Sequence, residues 1–362
     1  MTPQQSTAHP IRRVLVIFPG ALGDLMCLMP ALAAISRRHS DASVELMARI
    51  ELARLAAGRT VVARGHSIDA REVGELFTEA GAQSDEPPAT STAHRFFADF
   101  ERIYSFFASD DQRFRARLAA ATDGHVSFHP FRPGGDGHVS AAYLRATEIE
   151  IDESASRVDS RLEPTPDDLA AASRAIAQSK CAVSNLIVIF PGSGSPGKNW
   201  PADKFAALAS MLSSRASAAA PEKRITWPSI PANALCVAAP EKSVAVILGP
   251  AEISMEPIFR ESGVPVLKHL DLPTVAAIAR VASAFVGNDS GVSHLAAAAG
   301  APGVVIFGPT DPARWGPMPA GTDGHIVILR RNPIDSIEAD EVASAVSGML
   351  LTAERNIINR KF

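Results

Sequence analysis

Residues 284–317, AFVGNDSGVSHLAAAAGAPGVVIFGPTDPARWGP, leave the chain few choices of fold. Ala284 to Gly287 is a short apolar run ending in glycine, a strand signal. Asn288, Asp289 and Ser290 then offer capping side chains before an Ala-rich helical segment, His294 to Ala299. Gly300 ends that helix, Pro302 bars its return, and Gly303 to Phe307 reads as a second buried strand. A strand–turn–helix–strand unit follows, with its polar residues packed into the turn. The first turn of such a helix carries free N–H groups and partial positive charge, so it can hold a phosphate or a hydroxyl. Asp289 would repel a phosphate and suits a ribose or sugar hydroxyl, with Ser290 and Gly291 nearer the phosphate. The same residues also suit a plain helix cap.

Two further turns echo this layout. Val14 to Phe18 is a continuous apolar run, as expected of a parallel strand buried on both faces. Pro19 to Asp24 forms a turn before a helix with Leu28, Ala31, Leu32 and Ile35 at helical spacing, in which Pro30 marks a kink or the true start. The turn is not G-x-G-x-x-G, so a dinucleotide fingerprint is absent. Asp24 is its one charged residue, at the carboxyl end of the strand, where open α/β sheets bind ligands. A carboxylate there can take a proton from a hydroxyl, or it can cap the helix. Val16-Ile17-Phe18-Pro19-Gly20 recurs as Val188-Ile189-Phe190-Pro191-Gly192, which predicts two similar α/β halves.

The second copy opens the loop Gly192 to Pro201. Its glycines, Ser193, Ser195, exposed amides and Lys198 suit an anion, and a helix beginning near Pro201 adds its dipole. Gly192 to Lys198 matches the G-x-x-x-x-G-K of a P-loop, but Asn199 stands where Ser or Thr must hold Mg²⁺. A phosphate loop without the P-loop metal is expected. Val244 to Leu248 is another strand, ending at Gly249-Pro250-Ala251-Glu252.

Elsewhere the pattern is fainter. Val44–Met47, Thr60–Val62, Arg102–Phe106, Val126–Phe128, Leu186–Phe190 and Ile326–Leu329 read as strands. Residues 68–81, 141–147, 167–178, 203–212 and 337–351 read as helices and 83–92 as a loop, while Val264–Leu267 and Pro273–Ala282 lead back to 284–317. Arg113, Arg115 and Arg117 read as a solvated face, His138 as a cap or packing residue, 151–166 as a linker and 213–243 as an insertion.

At 362 residues the chain has the length of about two domains. A net charge of -4 argues against broad nucleic-acid binding. Three scattered cysteines, Cys27, Cys181 and Cys236, have no metal or disulfide spacing and fit a reducing cytoplasm. The start, MTPQQSTAHPIRR, lacks a signal peptide's apolar core, and no run approaches the ~20 apolar residues of a membrane span. A cytoplasmic protein is expected, with peripheral contact at the inner membrane left open.

Taken together, four blocks resemble glycosyltransferase family nine, the bacterial lipopolysaccharide heptosyltransferases. They are GALGD (Gly20 to Asp24), PGSG with K-x-W-P (Pro191 to Pro201), LGPAE (Leu248 to Glu252), and NDSGVSHLAAAAGAP with FGPTDP (Asn288 to Pro302, Phe307 to Pro312). Each is weak alone; their order and spacing span nearly the whole chain. The resemblance implies an α/β chain of the GT-B type, two Rossmann-like parallel-sheet domains facing across a cleft. It implies an acceptor-side domain over 1–165, a nucleotide-sugar donor domain over 166–340, and a helix over 341–362 packing back on the first. It implies inverting transfer from a nucleotide sugar, typically ADP-heptose, to a lipid-linked saccharide at the inner membrane surface, with no metal or other cofactor. By position Asp24 is the implied general base, with Gly20 and Gly23 on the acceptor side. Ser193, Gly194 and Lys198 are implied diphosphate ligands, Glu252 lies near the nucleoside, and Asp289, Ser290, Gly291 and His294 complete the donor site. Residues 60–137 match no block, so the acceptor stays open; Arg49, Arg54, Arg64 and Arg113 could meet an anionic one. The alternatives are another nucleotide sugar or acceptor, a P-loop-like nucleotide hydrolase, and a non-catalytic nucleotide-sugar binding protein.

Overall fold

The computed structural model describes residues 12–77, 91–122, 124–150, 160–179, 181, 185–214, 243–318 and 325–359. Its packing divides the chain into two compact units. The first comprises Met1–Gly20, Pro30–Gly135 and Ser140–Val158; the second comprises Ala21–Met29, Asp136–Val139 and Asp159–Phe362. The second unit thus draws in two short pieces that the sequence reading gave to the first half, and one of them carries Asp24.

The first unit is built on a five-stranded sheet in the order β3-β2-β1-β4-β5. The strands are β1 (Arg12–Ile17), β2 (Ala42–Ala48), β3 (Arg64–Ser67), β4 (Arg102–Ser105) and β5 (Val126–Phe128), all parallel. The second is built on a six-stranded sheet in the order β11-β10-β9-β6-β7-β8. Its strands are β6 (Ile187–Phe190), β7 (Val244–Leu248), β8 (Val266–Lys268), β9 (Ala284–Asn288), β10 (Gly303–Phe307) and β11 (Ile326–Arg330), again parallel. Val14 to Ile17 and Ile187 to Ile189 have no exposed surface, as strands covered by helices on both faces require. The repeated pentapeptide closes β1 in one sheet and β6 in the other. Each is the strand at which its sheet reverses direction of growth, so each opens onto the crevice where α/β sheets take ligands.

Several expected elements shift. The strand expected at Thr60–Val62 is Arg64–Ser67 instead. Thr60 bonds the Ala56 carbonyl and the Val62 amide, closing a turn, and the edge strand that follows is polar apart from its glycine. Gly65 is required there because a Cβ would sit 2.5 Å from the Ala53 carbonyl of the preceding helix. The helix expected over 68–81 is only Arg71–Glu75, with 78–81 outside the described residues. Of the loop expected over 83–92, residues 83–90 lie outside them, and Thr92 opens a helix to Phe97 capped by Ser91. Arg117 does not share a solvated face with Arg113 and Arg115; with Phe114, Leu118 and Ala121 it lies on the buried stripe of the helix Gln112–Ala121. Most of the linker and the insertion, residues 151–159 and 215–242, also lie outside the described residues.

The C-terminal helix is Ala339–Asn359. Val342, Ala343, Val346 and Met349 form an apolar stripe that joins the core of the second unit beside Val304, Ile306 and Trp200. No described helix is long and apolar enough to cross a membrane.

Candidate active site

Three loops converge at the carboxyl ends of β6, β7 and β9. The first runs from Pro191 to Trp200. Its Ser193 hydroxyl bonds the Ser195 carbonyl at 2.7 Å, and a single 3₁₀ turn over Pro196–Lys198 presents the lysine. Gly194 is exposed, and a Cβ there would touch nothing within 4 Å. Lys198 Nζ donates to the Asp289 carboxylate at 2.7 Å, and Thr310 Oγ1 donates to the same oxygen at 2.5 Å. Asp289 is buried while Lys198 is half-buried, so the carboxylate holds one face of the ammonium and leaves another toward solvent.

The second loop is the turn after β9. Asn288 proves to be the last residue of the strand, and the helix runs Gly291–Ala298, three residues earlier than its sequence pattern indicated. Ser290 occupies the cap position but makes no side-chain cap; its hydroxyl lies 3.2 Å from that of Ser293, which bonds the Asn288 carbonyl. With Asp289 on Lys198 and Ser290 on Ser293, no side chain among the described residues caps this helix. Its first turn therefore offers N–H groups and dipole to a ligand, which is more than a structural turn requires.

The third loop carries Glu252. A Cβ on Gly192 would overlap the Glu252 carboxyl group, and one on Gly249 would lie 2.7 Å from its Oε2. Two glycines thus make room for this carboxylate against the stem of the loop that bears Lys198.

Ala21–Met29 brings a second helix start to the same place. Gly23 and Gly291 pack so closely that a Cβ on Gly23 would lie 3.6 Å from the Gly291 Cα. A Cβ on Gly291 would lie 3.0 Å from the Leu22 Cβ. The helix Leu22–Arg38 and the helix Gly291–Ala298 therefore begin against one another. Asp24 is not the cap of its helix. It sits one turn in and reaches back, accepting from the Ala21 amide at 3.1 Å. Gly20 is buried directly before this turn. His294 lies beneath it, with Nδ1 3.9 Å from the thiol of Cys27, and is almost wholly buried. Burial pulls its pKa down to about 4; the Lys198 ammonium pulls the same way, against the Asp289 carboxylate. The imidazole is neutral near pH 7. His138 itself donates from Nε2 to the Gly316 carbonyl at 2.7 Å, a packing role as its sequence setting suggested.

Gly23, Asp24, Ser193, Gly194, Lys198, Glu252, Asp289, Ser290, Gly291 and His294 all lie in one compact unit. Arg49, Arg54, Arg64 and Arg113 lie in the other. Sequence reasoning missed Thr310, a direct partner of Asp289; its place in a loop after β10, matching the loops after β6 and β9, was the available signal.

Residues 231–340 match the model of glycosyltransferase family 9 (heptosyltransferase). Over that segment the chain resembles the heptosyltransferase family. Among solved structures, this chain resembles a family 9 glycosyl transferase of Veillonella parvula at 16% identity, covering 94% of this chain and 97% of that one with a TM-score of 0.71. It resembles the ADP-heptose lps heptosyltransferase II of E. coli at 17% identity, covering 94% and 99% with a TM-score of 0.63. An E. coli heptosyltransferase solved with ADP follows at 16% identity, 94% and 99% coverage and a TM-score of 0.60. At these identities the likeness is one of fold, the two parallel-sheet α/β domains of GT-B transferases. Among curated proteins, none matches this sequence.

Proposed function

We propose that this glycosyltransferase moves a heptose from ADP-heptose to a lipid-linked saccharide of the lipopolysaccharide core, with inversion and without a metal, at the cytoplasmic face of the inner membrane. The observation that carries the reading is the Gly23–Gly291 contact, which sets the Asp24 turn beside the uncapped helix start and the Lys198–Asp289 pair. In this reading Asp24 accepts the proton of the acceptor hydroxyl as that oxygen attacks the anomeric carbon. The bond from that carbon to the diphosphate breaks on the opposite side, and ADP leaves with the bonding pair. Lys198, Ser193 and the first turn of the helix Gly291–Ala298 meet the charge that develops on the phosphate. Asp289 and Glu252 bind hydroxyls of the sugar and the nucleoside. The likeness to the ADP-heptose lps heptosyltransferase II of E. coli supports the choice of ADP-heptose.

Calorimetry with ADP, UDP, GDP and ATP, each with and without Mg²⁺, tests the donor half. Selective ADP binding that ignores Mg²⁺ is expected. Preference for UDP or GDP would move the donor, and Mg²⁺-dependent ATP binding would overturn the metal-free reading. Transfer to a core acceptor, abolished in Asp24→Ala with ADP binding kept, tests the chemistry.

A further inference from the structure

We infer that Asn288 is a positioning residue that fixes both stems of the loop bearing Ser193 and Lys198; the inference rests on the phosphate-binding reading of that loop. Asn288 has no exposed surface. Its Nδ2 donates to the Pro191 carbonyl at 2.7 Å, and its Oδ1 accepts from the Trp200 amide at 3.0 Å. Pro191 is the residue before the Gly192–Asn199 loop and Trp200 the residue after it. One planar amide therefore clamps the two ends of an eight-residue excursion that otherwise carries glycines, the half-buried Ser193 and the exposed Ser195.

The clamp continues the sheet by other means. The β6–β9 ladder ends at the pair Phe190–Gly287. One step further the Asn288 side chain supplies the next hydrogen bond to Pro191, and from the same group it reaches the returning strand of the loop. Asn288 is itself held, because its carbonyl accepts from Ser293 Oγ at 2.7 Å. Gly287 leaves space for that hydroxyl, since a Cβ there would lie 2.5 Å from it. The next residue, Asp289, grips Lys198 at the head of the loop. Consecutive residues at the end of one strand thus fix the stems and the cation of the neighbouring loop.

The amide offers a donor and an acceptor on two separate atoms of one rigid plane, so it can reach both stems at once. Aspartate keeps the acceptor for Trp200 and loses the donor to Pro191; alanine loses both and leaves two peptide groups without partners. Asn288 touches no reacting atom in this scheme, so its effect must pass through the loop.

The test combines hydrogen exchange of the ligand-free protein with ADP affinity, in wild type, Asn288→Ala, Asn288→Asp, Lys198→Ala and the Asn288→Ala/Lys198→Ala double variant. Amides of 192–200 are expected to exchange about tenfold faster in Asn288→Ala, less so in Asn288→Asp, while Val244–Leu248 stays protected. ADP affinity is expected to fall about tenfold in Asn288→Ala and little further when Lys198 is already absent, because the two act through one loop. Unchanged exchange in the loop overturns the inference. So does faster exchange spread across Val244–Leu248, or an Asn288→Ala penalty on ADP that remains whole in the Lys198→Ala background. Wild type that binds no ADP, together with the loop-specific exchange change, overturns the phosphate reading and leaves the clamp standing. If Asn288→Ala does not fold, Asn288→Asp carries the same comparison.

Discussion

Lys198 and Asp289 stand 91 residues apart in sequence and 2.7 Å apart in space, joined by a half-buried ion pair whose carboxylate also takes the hydroxyl of Thr310. The pair aims the ammonium before any ligand arrives. Lys198→Ala is expected to weaken ADP binding by about 10- to 100-fold. Asp289→Asn leaves the lysine charged but unaimed and is expected to cost about tenfold. Calorimetry in low and moderate salt measures both. Wild-type affinity in Lys198→Ala would remove the lysine from the phosphate site.

Asp24→Asn preserves an oxygen to accept from the Ala21 amide, so the turn is expected to survive. A base that cannot take a proton loses about 10²- to 10⁴-fold in turnover. The expected result is a kcat lowered by that range with ADP affinity unchanged, read from steady-state transfer beside calorimetry. Turnover near wild type would put the base elsewhere.

His294 titrates at about 4 in the folded protein and near 6.5 when unfolded, because burial disfavours the imidazolium. The unfolded chain therefore binds the extra proton first, and stability falls as pH drops from 6.5 toward 4. Melting temperature followed across that window is expected to decline in wild type and to flatten in His294→Gln. An unchanged slope in the variant would assign the acid limb to other groups.

Glu45 gives a second, lower window in the other unit. It lies buried on β2, bonded by Arg13 at 2.8 and 3.0 Å and by His66 Nε2 at 2.6 Å. Burial opposes its charge, but these partners outweigh that cost and hold the pKa at about 2 against the ordinary 4.5. The stabilisation is complete above 4.5 and fades as pH falls through about 2, on the order of 3 kcal/mol in all. Glu45→Gln is expected to lower the melting temperature at pH 7 and to lose the pH dependence below 4.5. Retention of wild-type stability would mean that the ion pairs contribute nothing net.

The central strands were legible because burial on both faces demands unbroken runs such as Val14–Phe18 and Val188–Phe190. β3 was not, since an edge strand needs no such run and its RGHS carries only a glycine dictated by Ala53. Arg117 was misread because two exposed arginines flank it, while the period that buries it is set by Phe114, Leu118 and Ala121. In the site, the polar residues of the three loops could be named from their positions at strand ends. Their bonds could not. Whether Asp289 caps a helix or grips Lys198, and whether Asn288 caps or clamps, depends on a loop from far away in sequence.

The order of strands in the two sheets has a consequence for how the polypeptide is made. In each unit the strand synthesised first, β1 or β6, ends up inside its sheet, and every later strand joins an edge that is already there: first outward on one side, then outward on the other. No strand has to be inserted between two that have already paired. A nascent chain leaving the ribosome can thus extend each sheet in the order of translation, with the ligand-facing crevice appearing when β4, or β9, closes on the oldest strand.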